Sequence, residues 1–389
     1  MKISPVRGTN RLFGRVGSAF AIALCLYAIP CRAPAGSDLV SKLEPAVEKG
    51  VLSGAVVLVA QADKVLALEA VGFSDLSTRK SMQGDDLFWI ASMSKAVTAA
   101  AFMILVDEGR VKLDDPVQKF IPEFATLKVA DSGGSLTPPV HPVLVREILS
   151  HTGGLRFLNS KDRQKIDSVP LAVSIEHNLL EPLVHQPGTE YLYSNEGTDT
   201  AGRIIEVVAG IPYEQFLQER LFGPLGMKDT TFTPTPLQLK RLAKSYKTNP
   251  ETKQLEEVQI PYLTYPLDAP GRYPAPGGGL FSTATDVARF CLMLANGGVL
   301  EGKTYLSKEA VNQMTIKQTG EAVAEKYGFC LKVEGAGVFG HGGAFQTSMM
   351  VEYGIVRVFL VQHTGKWAEG DPGADFSRAV RALYPSRNP

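Results

Sequence analysis

Long runs of one charge are missing from this sequence: forty basic and forty acidic residues are interspersed and cancel to a formal net charge of zero. That excludes the basic footprint of a nucleic-acid binder and the polybasic patch of a membrane-surface protein. Cysteine is scarce as well. Of four, Cys25 and Cys31 lie near the N-terminus, leaving Cys291 and Cys330, too few for a disulfide framework. Cys291 falls in an apolar helical pattern and reads as a small buried hydrophobe. The six histidines form no cluster of metal-ligand spacing and no His-Glu-x-x-His helix, so neither a metal nor a cofactor is expected. There is no internal repeat, and no Gly-x-Ser-x-Gly elbow of the α/β-hydrolase kind.

What is present begins with a leader. Lys2, Arg7, Arg11 and Arg15 precede an apolar stretch, Val16 to Ile29, and Ala33-Pro34-Ala35 follows. A charged region, a short apolar region and small residues make a signal peptide over 1–35, with export to the periplasm or the medium. An uncleaved leader acting as a membrane anchor is the alternative, and Pro30 argues against lipidation at Cys31. The chain as a whole is 44% hydrophobic and 21% charged, and the part after the leader, 36–389, is taken as one globular domain.

Spacing predicts an amphipathic helix over 38–49 and a hairpin from Ala55–Gln61 and Val65–Val71. Prolines then break the chain from about 112, with short helices at Val145–Leu149, Ala172–Leu180, Asp199–Ala209 and Tyr213–Leu221. The proline-rich stretch 232–279 shows little periodicity and reads as a long loop shaping a cleft. Helices are expected again over Thr285–Asn296 and Lys308–Met314. Strands are expected over Gly328–Val333, Phe345–Tyr353 and Ile355–Gln362, and a last helix over Asp375–Leu383. The fold class is therefore α+β: an antiparallel sheet built from N- and C-terminal segments, flanked by helices, with an inserted, mostly helical subdomain at about 112–279.

The chemistry centres on Ser92-Met93-Ser94-Lys95. Ser92 stands where an extended run gives way to an apolar helix, so unpaired backbone N–H groups and the helix dipole would favour an anion there. Lys95, three residues on, shares its helical face and is a base able to activate the hydroxyl. A second Ser-x-x-Lys, Ser77 to Lys80, sits in a polar turn and is set aside. Of twelve tyrosines, Tyr193 alone has asparagine two residues on, so Tyr193 could relay a proton and Asn195 orient Lys95. A packed loop tyrosine is the bland alternative. Gly340-His341-Gly342-Gly343-Ala344 is placed at the start of the strand running to Tyr353, where the Ala344 amide could join that of Ser92 in an oxyanion hole. His363-Thr364-Gly365 is the rival and is expected to begin nothing extended. Gly297 to Thr304 matches a phosphate-binding loop letter for letter, but a helix precedes it, so it reads as an interhelical turn.

Ser92-x-x-Lys95, Tyr193-x-Asn195 and His341-Gly342-Gly343 together resemble the three motifs of the class C β-lactamase and penicillin-binding-protein superfamily. Ile148 to Leu155, Leu221 to Met227 and Gly277 to Thr283 extend the resemblance over roughly 38–384. It implies a β-lactamase/transpeptidase-like fold, with Ser92 acylated, Lys95 and Tyr193 as the acid–base pair, and Asn195, His341, Gly342, Gly343 and Ala344 supporting the substrate. His341-Gly342-Gly343 departs from the Lys-Thr-Gly that holds a β-lactam carboxylate, and is similar to the family's carboxylesterases. The expectation is a serine esterase with weak β-lactamase activity at most, acting on a small molecule. A D-aminopeptidase or amide hydrolase is the runner-up, and a non-catalytic assembly or peptidoglycan-recognition protein is the alternative of another class.

Overall fold

The computed structural model describes residues 39–162 and 165–385, so the leader with Cys25 and Cys31 lies outside the described residues. The expected first helix is split. A 3₁₀ turn at Val40–Lys42 gives way to α1 (Glu44–Glu48), restarted where Pro45 fits a helix N-terminus. Strands β1 (Gly54–Gln61) and β2 (Lys64–Asp75) form the expected hairpin, and β3 (Lys80–Ser81) follows a turn. In that turn Asp75 Oδ1 accepts from the N–H groups of Ser77 and Thr78, so the second Ser-x-x-Lys is an exposed Asx turn.

Strand β4 (Phe88–Trp89) leads into the Ser92 turn and α2 (Ser94–Asp107). The insertion then supplies α3 (Val145–Leu149), α4 (Leu171–Asn178), α5 (Asn195–Ala209) and α6 (Tyr213–Leu217). Helix α5 begins at Asn195 rather than Asp199 because Ser194 caps it, its Oγ accepting from the Gly197 N–H at 2.9 Å. Within the stretch read as one long loop lie β5 (Ser245–Thr248) and β6 (Leu255–Val258), an antiparallel pair. No apolar alternation announces them. Backbone pairing and the surface ion pairs Lys244–Glu257 and Lys247–Glu256 hold them instead.

Strand β7 (Phe281–Ser282) pairs with β4, and α7 (Ala284–Ala295) and α8 (Lys308–Thr315) follow. Between those helices Val299 pairs with Thr304 in a tight ribbon, and no helix opens at Lys303, as a phosphate loop would need. The chain ends with β8 (Lys332–Gly335), β9 (Val338–Gly342), β10 (Ser348–Glu352), β11 (Ile355–Leu360), β12 (His363–Thr364) and α9 (Pro372–Leu383). Two placements are corrected here. His341 and Gly342 end β9 instead of beginning a strand, and 343–347 turn back into β10 with His341 opposite Met349. His363 does sit in a strand, parallel to β5. Glycine at 340 and 342 removes the side-chain alternation by which β9 would have been recognised.

The main sheet runs β8-β9-β10-β11-β1-β2-β3, each neighbouring pair antiparallel. Central β1 is buried on both faces. Val56, Leu58 and Ala60 enter the large core with α2 and α7, while Ala55, Val57 and Val59 meet Leu43, Phe376 and Val380 on the other side. At about 1.5–3 kcal/mol for each fully buried aliphatic side chain, this strand alone fixes the sheet between two helical layers. Helix α2 is buried from Ser94 to Leu105, and its alanines let α5 approach. Cys291 and Cys330 are both buried and unbridged. Among the described residues no helix is long and apolar enough to cross a membrane.

Candidate active site

The turn carrying Ser92 is held from behind. The Ile90 N–H donates to Leu280 O at 3.0 Å, Ser94 Oγ donates to Ala91 O at 2.6 Å and accepts from the Leu280 N–H at 3.1 Å. Ala91 adopts a φ of 47°, a left-handed conformation that costs an L-residue roughly 1–2 kcal/mol and that the surrounding bonds impose. The 3₁₀ turn Ala91–Met93 therefore lifts Ser92 to the mouth of α2, as its motif implied.

Lys95 is wholly buried, and its Nζ has three partners: Ser92 Oγ at 3.2 Å, Asn195 Oδ1 at 2.5 Å, and Gly277 O in close contact. Counting hydrogens gives these contacts meaning. The two carbonyl oxygens can only accept, so they take two N–H bonds, and the third position faces Ser92. Once that proton is gone, a lone pair points at the serine hydroxyl. Gly277 was not anticipated as a partner, although its glycine run was visible. A Cβ there would stand 3.0 Å from Asn195 Oδ1, so glycine lets the carbonyl reach the amine. The Gly277 N–H in turn donates to Asp199 Oδ1 at 3.0 Å, and burial pushes that carboxyl up to about 7.

On the other side Tyr193 lies with its ring centroid 4.8 Å from Lys95 Nζ, and its hydroxyl is 3.3 Å from His341 Nε2. His341 Nδ1 donates to Gly342 O at 2.6 Å, and Tyr327 Oη approaches Nε2 at 2.8 Å. Burial, aided by the Lys95 charge, pushes the His341 imidazole down to about 3, so it is neutral. His151 lies within the segment Ile148 to Leu155, and its spacing alone assigned it no separate role. It packs 4.7 Å from the Tyr193 ring and accepts the Ser194 N–H at Nδ1, thereby positioning the Tyr193-x-Asn195 segment. Burial holds its pKa well below the ordinary value too.

Gly343 joins the third motif to the nucleophile turn: a Cβ there would fall 2.7 Å from Ile90 O. Ala344 and Ser92 consequently line one small cavity of about 70 Å³, open to solvent, with Trp89, Phe157, Leu158, Ile166 and Tyr262 as its apolar walls. Trp89 is pinned by its indole N–H to Gly278 O at 2.7 Å. The Ile166 N–H donates to Tyr262 O, and beside them a fully buried Arg272–Asp167 pair at 2.7 Å ties the two segments together. No charged side chain among the described residues lines this cavity.

The family model for Beta-lactamase matches residues 39–381. The chain belongs to the beta-lactamase family. This is a family of serine hydrolases of the β-lactamase fold with esterase relatives. Protein Rv1367c of Mycobacterium tuberculosis is 33% identical over 356 residues, covering 84% of this chain and 85% of its own length. Lovastatin esterase of Penicillium rubens is 27% identical over 340 residues, 83% of either chain. The solved structure of EstCE1, described as a hydrolase with promiscuous acyltransferase activity, shares the fold at a TM-score of 0.76. It is 23% identical and covers 88% of this chain and 97% of its own.

Proposed function

We propose that this protein hydrolyses carboxylic esters with an apolar acyl group through an acyl-enzyme on Ser92. Ser92 Oγ attacks the ester carbonyl while Lys95 Nζ takes its proton. The oxyanion forms against the amides of Ser92 and Ala344. The bond from carbon to the alcohol oxygen breaks as the Tyr193 hydroxyl protonates the leaving alcohol, and Lys95 returns a proton to Tyr193. Water then enters by the same route and frees the acid. Asn195 keeps Lys95 aimed, Gly342 leaves room beside the strand end, and Gly343 lets the third motif close on the nucleophile turn.

One observation carries the preference for esters: the cavity at Ser92 is lined mostly by apolar groups and by no charged side chain among the described residues, and the imidazole at the third motif is neutral with both nitrogens engaged. A β-lactam carboxylate would find no third-motif lysine to hold it, whereas an uncharged ester needs none. The test is a side-by-side rate with p-nitrophenyl butyrate and nitrocefin, with Ser92→Ala as blank. Fast ester cleavage with slow nitrocefin turnover is expected. Nitrocefin turning over faster would overturn the ester assignment, and cleavage of D-amino acid amides alone would replace it with amide hydrolysis. The same reading takes 1–35 as an export signal, so the mature N-terminus should begin near Gly36 when sequenced from the exported protein.

A further inference from the structure

Three rings meet around one nitrogen. A neutral imidazole has one N–H and one in-plane lone pair. His341 Nδ1 stands 2.6 Å from Gly342 O, and a carbonyl has no hydrogen to give, so Nδ1 must carry the proton. Nε2 is then a pure acceptor with a single lone pair. Two phenols reach for it: Tyr327 at 2.8 Å and Tyr193 at 3.3 Å. The shorter contact has ordinary hydrogen-bond length, and the longer one is at the limit.

Tyr327 is held where it can win that competition. It is buried, its carbonyl accepts from the Gln318 N–H at 2.7 Å, and its backbone bridges to Lys332 at the base of β8. It has no part in the proposed reaction. We propose that Tyr327 is a positioning residue: by filling the one lone pair of His341 Nε2, it leaves the hydroxyl hydrogen of Tyr193 free for the leaving group. Without that phenol, Tyr193 would donate to Nε2 and turn its hydrogen away from Ser92. This role rests on the hydrolase reading above.

Two measurements test it. In ¹⁵N-labelled protein, with the His341 signals assigned by their loss in His341→Asn, Nδ1 should be protonated and Nε2 bare. In kinetics with p-nitrophenyl butyrate, Tyr327→Phe should lower kcat about tenfold with KM unmoved, a part of what acid–base catalysis supplies. Made in a Tyr193→Phe background, the same change should cost nothing further, because its effect passes through Tyr193. Equal losses in both backgrounds would mean mere packing and overturn the proposal, as would an unchanged kcat in Tyr327→Phe alone. A protonated Nε2 in an active wild type would sink the positioning role alone. A wild type that neither turns over ester nor labels with a fluorophosphonate would sink the hydrolase reading and the role with it.

Discussion

The two flanks of Ser92 are built on opposite plans. One is the cavity of Trp89, Phe157, Ile166 and Tyr262, with no titratable side chain but the phenol of Tyr262 and a buried ion pair behind it. The other packs His151, Tyr191, Tyr193, Tyr327 and His341 ring against ring, every one able to exchange a proton. Burial pushes both imidazoles down and the Tyr191 and Tyr327 phenols up, so those four are neutral at pH 7. A crowd of potential charges is thus a neutral, ring-packed cluster in which Tyr193 and Tyr327 both approach His341 Nε2. In the reaction proposed above, the apolar flank would hold the substrate and the aromatic flank would decide where its protons go.

Substitutions can break that division of labour, beginning with the residue both flanks share. Ser92→Ala should abolish ester turnover and fluorophosphonate labelling together, while Ser77→Ala in the exposed turn should alter neither. Residual turnover in Ser92→Ala would place the nucleophile elsewhere. On the aromatic flank, Tyr193→Phe should reduce kcat on the order of a hundredfold with KM little changed, the signature of a lost proton relay. An equal rise in KM would make Tyr193 a binding residue and blur the contrast.

On the apolar flank the split should reverse. Tyr262→Ala should raise KM for butyrate esters roughly tenfold, within what a lost apolar contact is worth, and leave kcat nearly intact. Bulkier acyl groups should lose least, and a matching fall in kcat would show that the cavity also steers the chemistry. The smallest effect belongs to the helix behind both. Burial pushes Glu196 up to about 8 from 4.5. The native state therefore keeps a proton that the unfolded chain releases, so this contribution is full below 4.5 and lost as pH rises through about 8. Glu196→Gln keeps an acceptor for the Arg156 N–H and removes the titration. Its Tm should fall less than the wild type's over that interval, and an unchanged slope would mean the carboxylate is compensated when charged.

The contrast also marks what could be read from residues alone. Ser92 and Lys95, and Tyr193 and Asn195, could be singled out because each pair's spacing is local: a serine at a helix mouth with a lysine one turn later, and a tyrosine with an asparagine two residues on, whereas the helix that Asn195 opens was expected only from Asp199. The hairpin of β1 and β2 and the helices α3 and α7 were legible for the same reason, periodicity within one element. Gly277 and His151 were not, since each acts on a group far along the chain that only the packed fold brings near, and Tyr327 was not, since it meets His341 only across the turn between β8 and β9. Strands β5 and β6 were missed because polar residues joined by backbone bonds leave no hydrophobic period, and β9 because its glycines erase one.

The three contacts of the Lys95 amine have a mechanical consequence. Ser92 belongs to the α2 turn, Asn195 opens α5 in the inserted region, and the Gly277 carbonyl ends the proline-rich stretch. The base is thus a latch across three parts of the chain. Any excursion that swings α5 away, of the local-opening kind that proteins undergo, strips the amine of the acceptor that aims it. On the proposed mechanism, the serine would be armed only while the fold around it is shut, and a loosened molecule would be disarmed before it could attack a bystander.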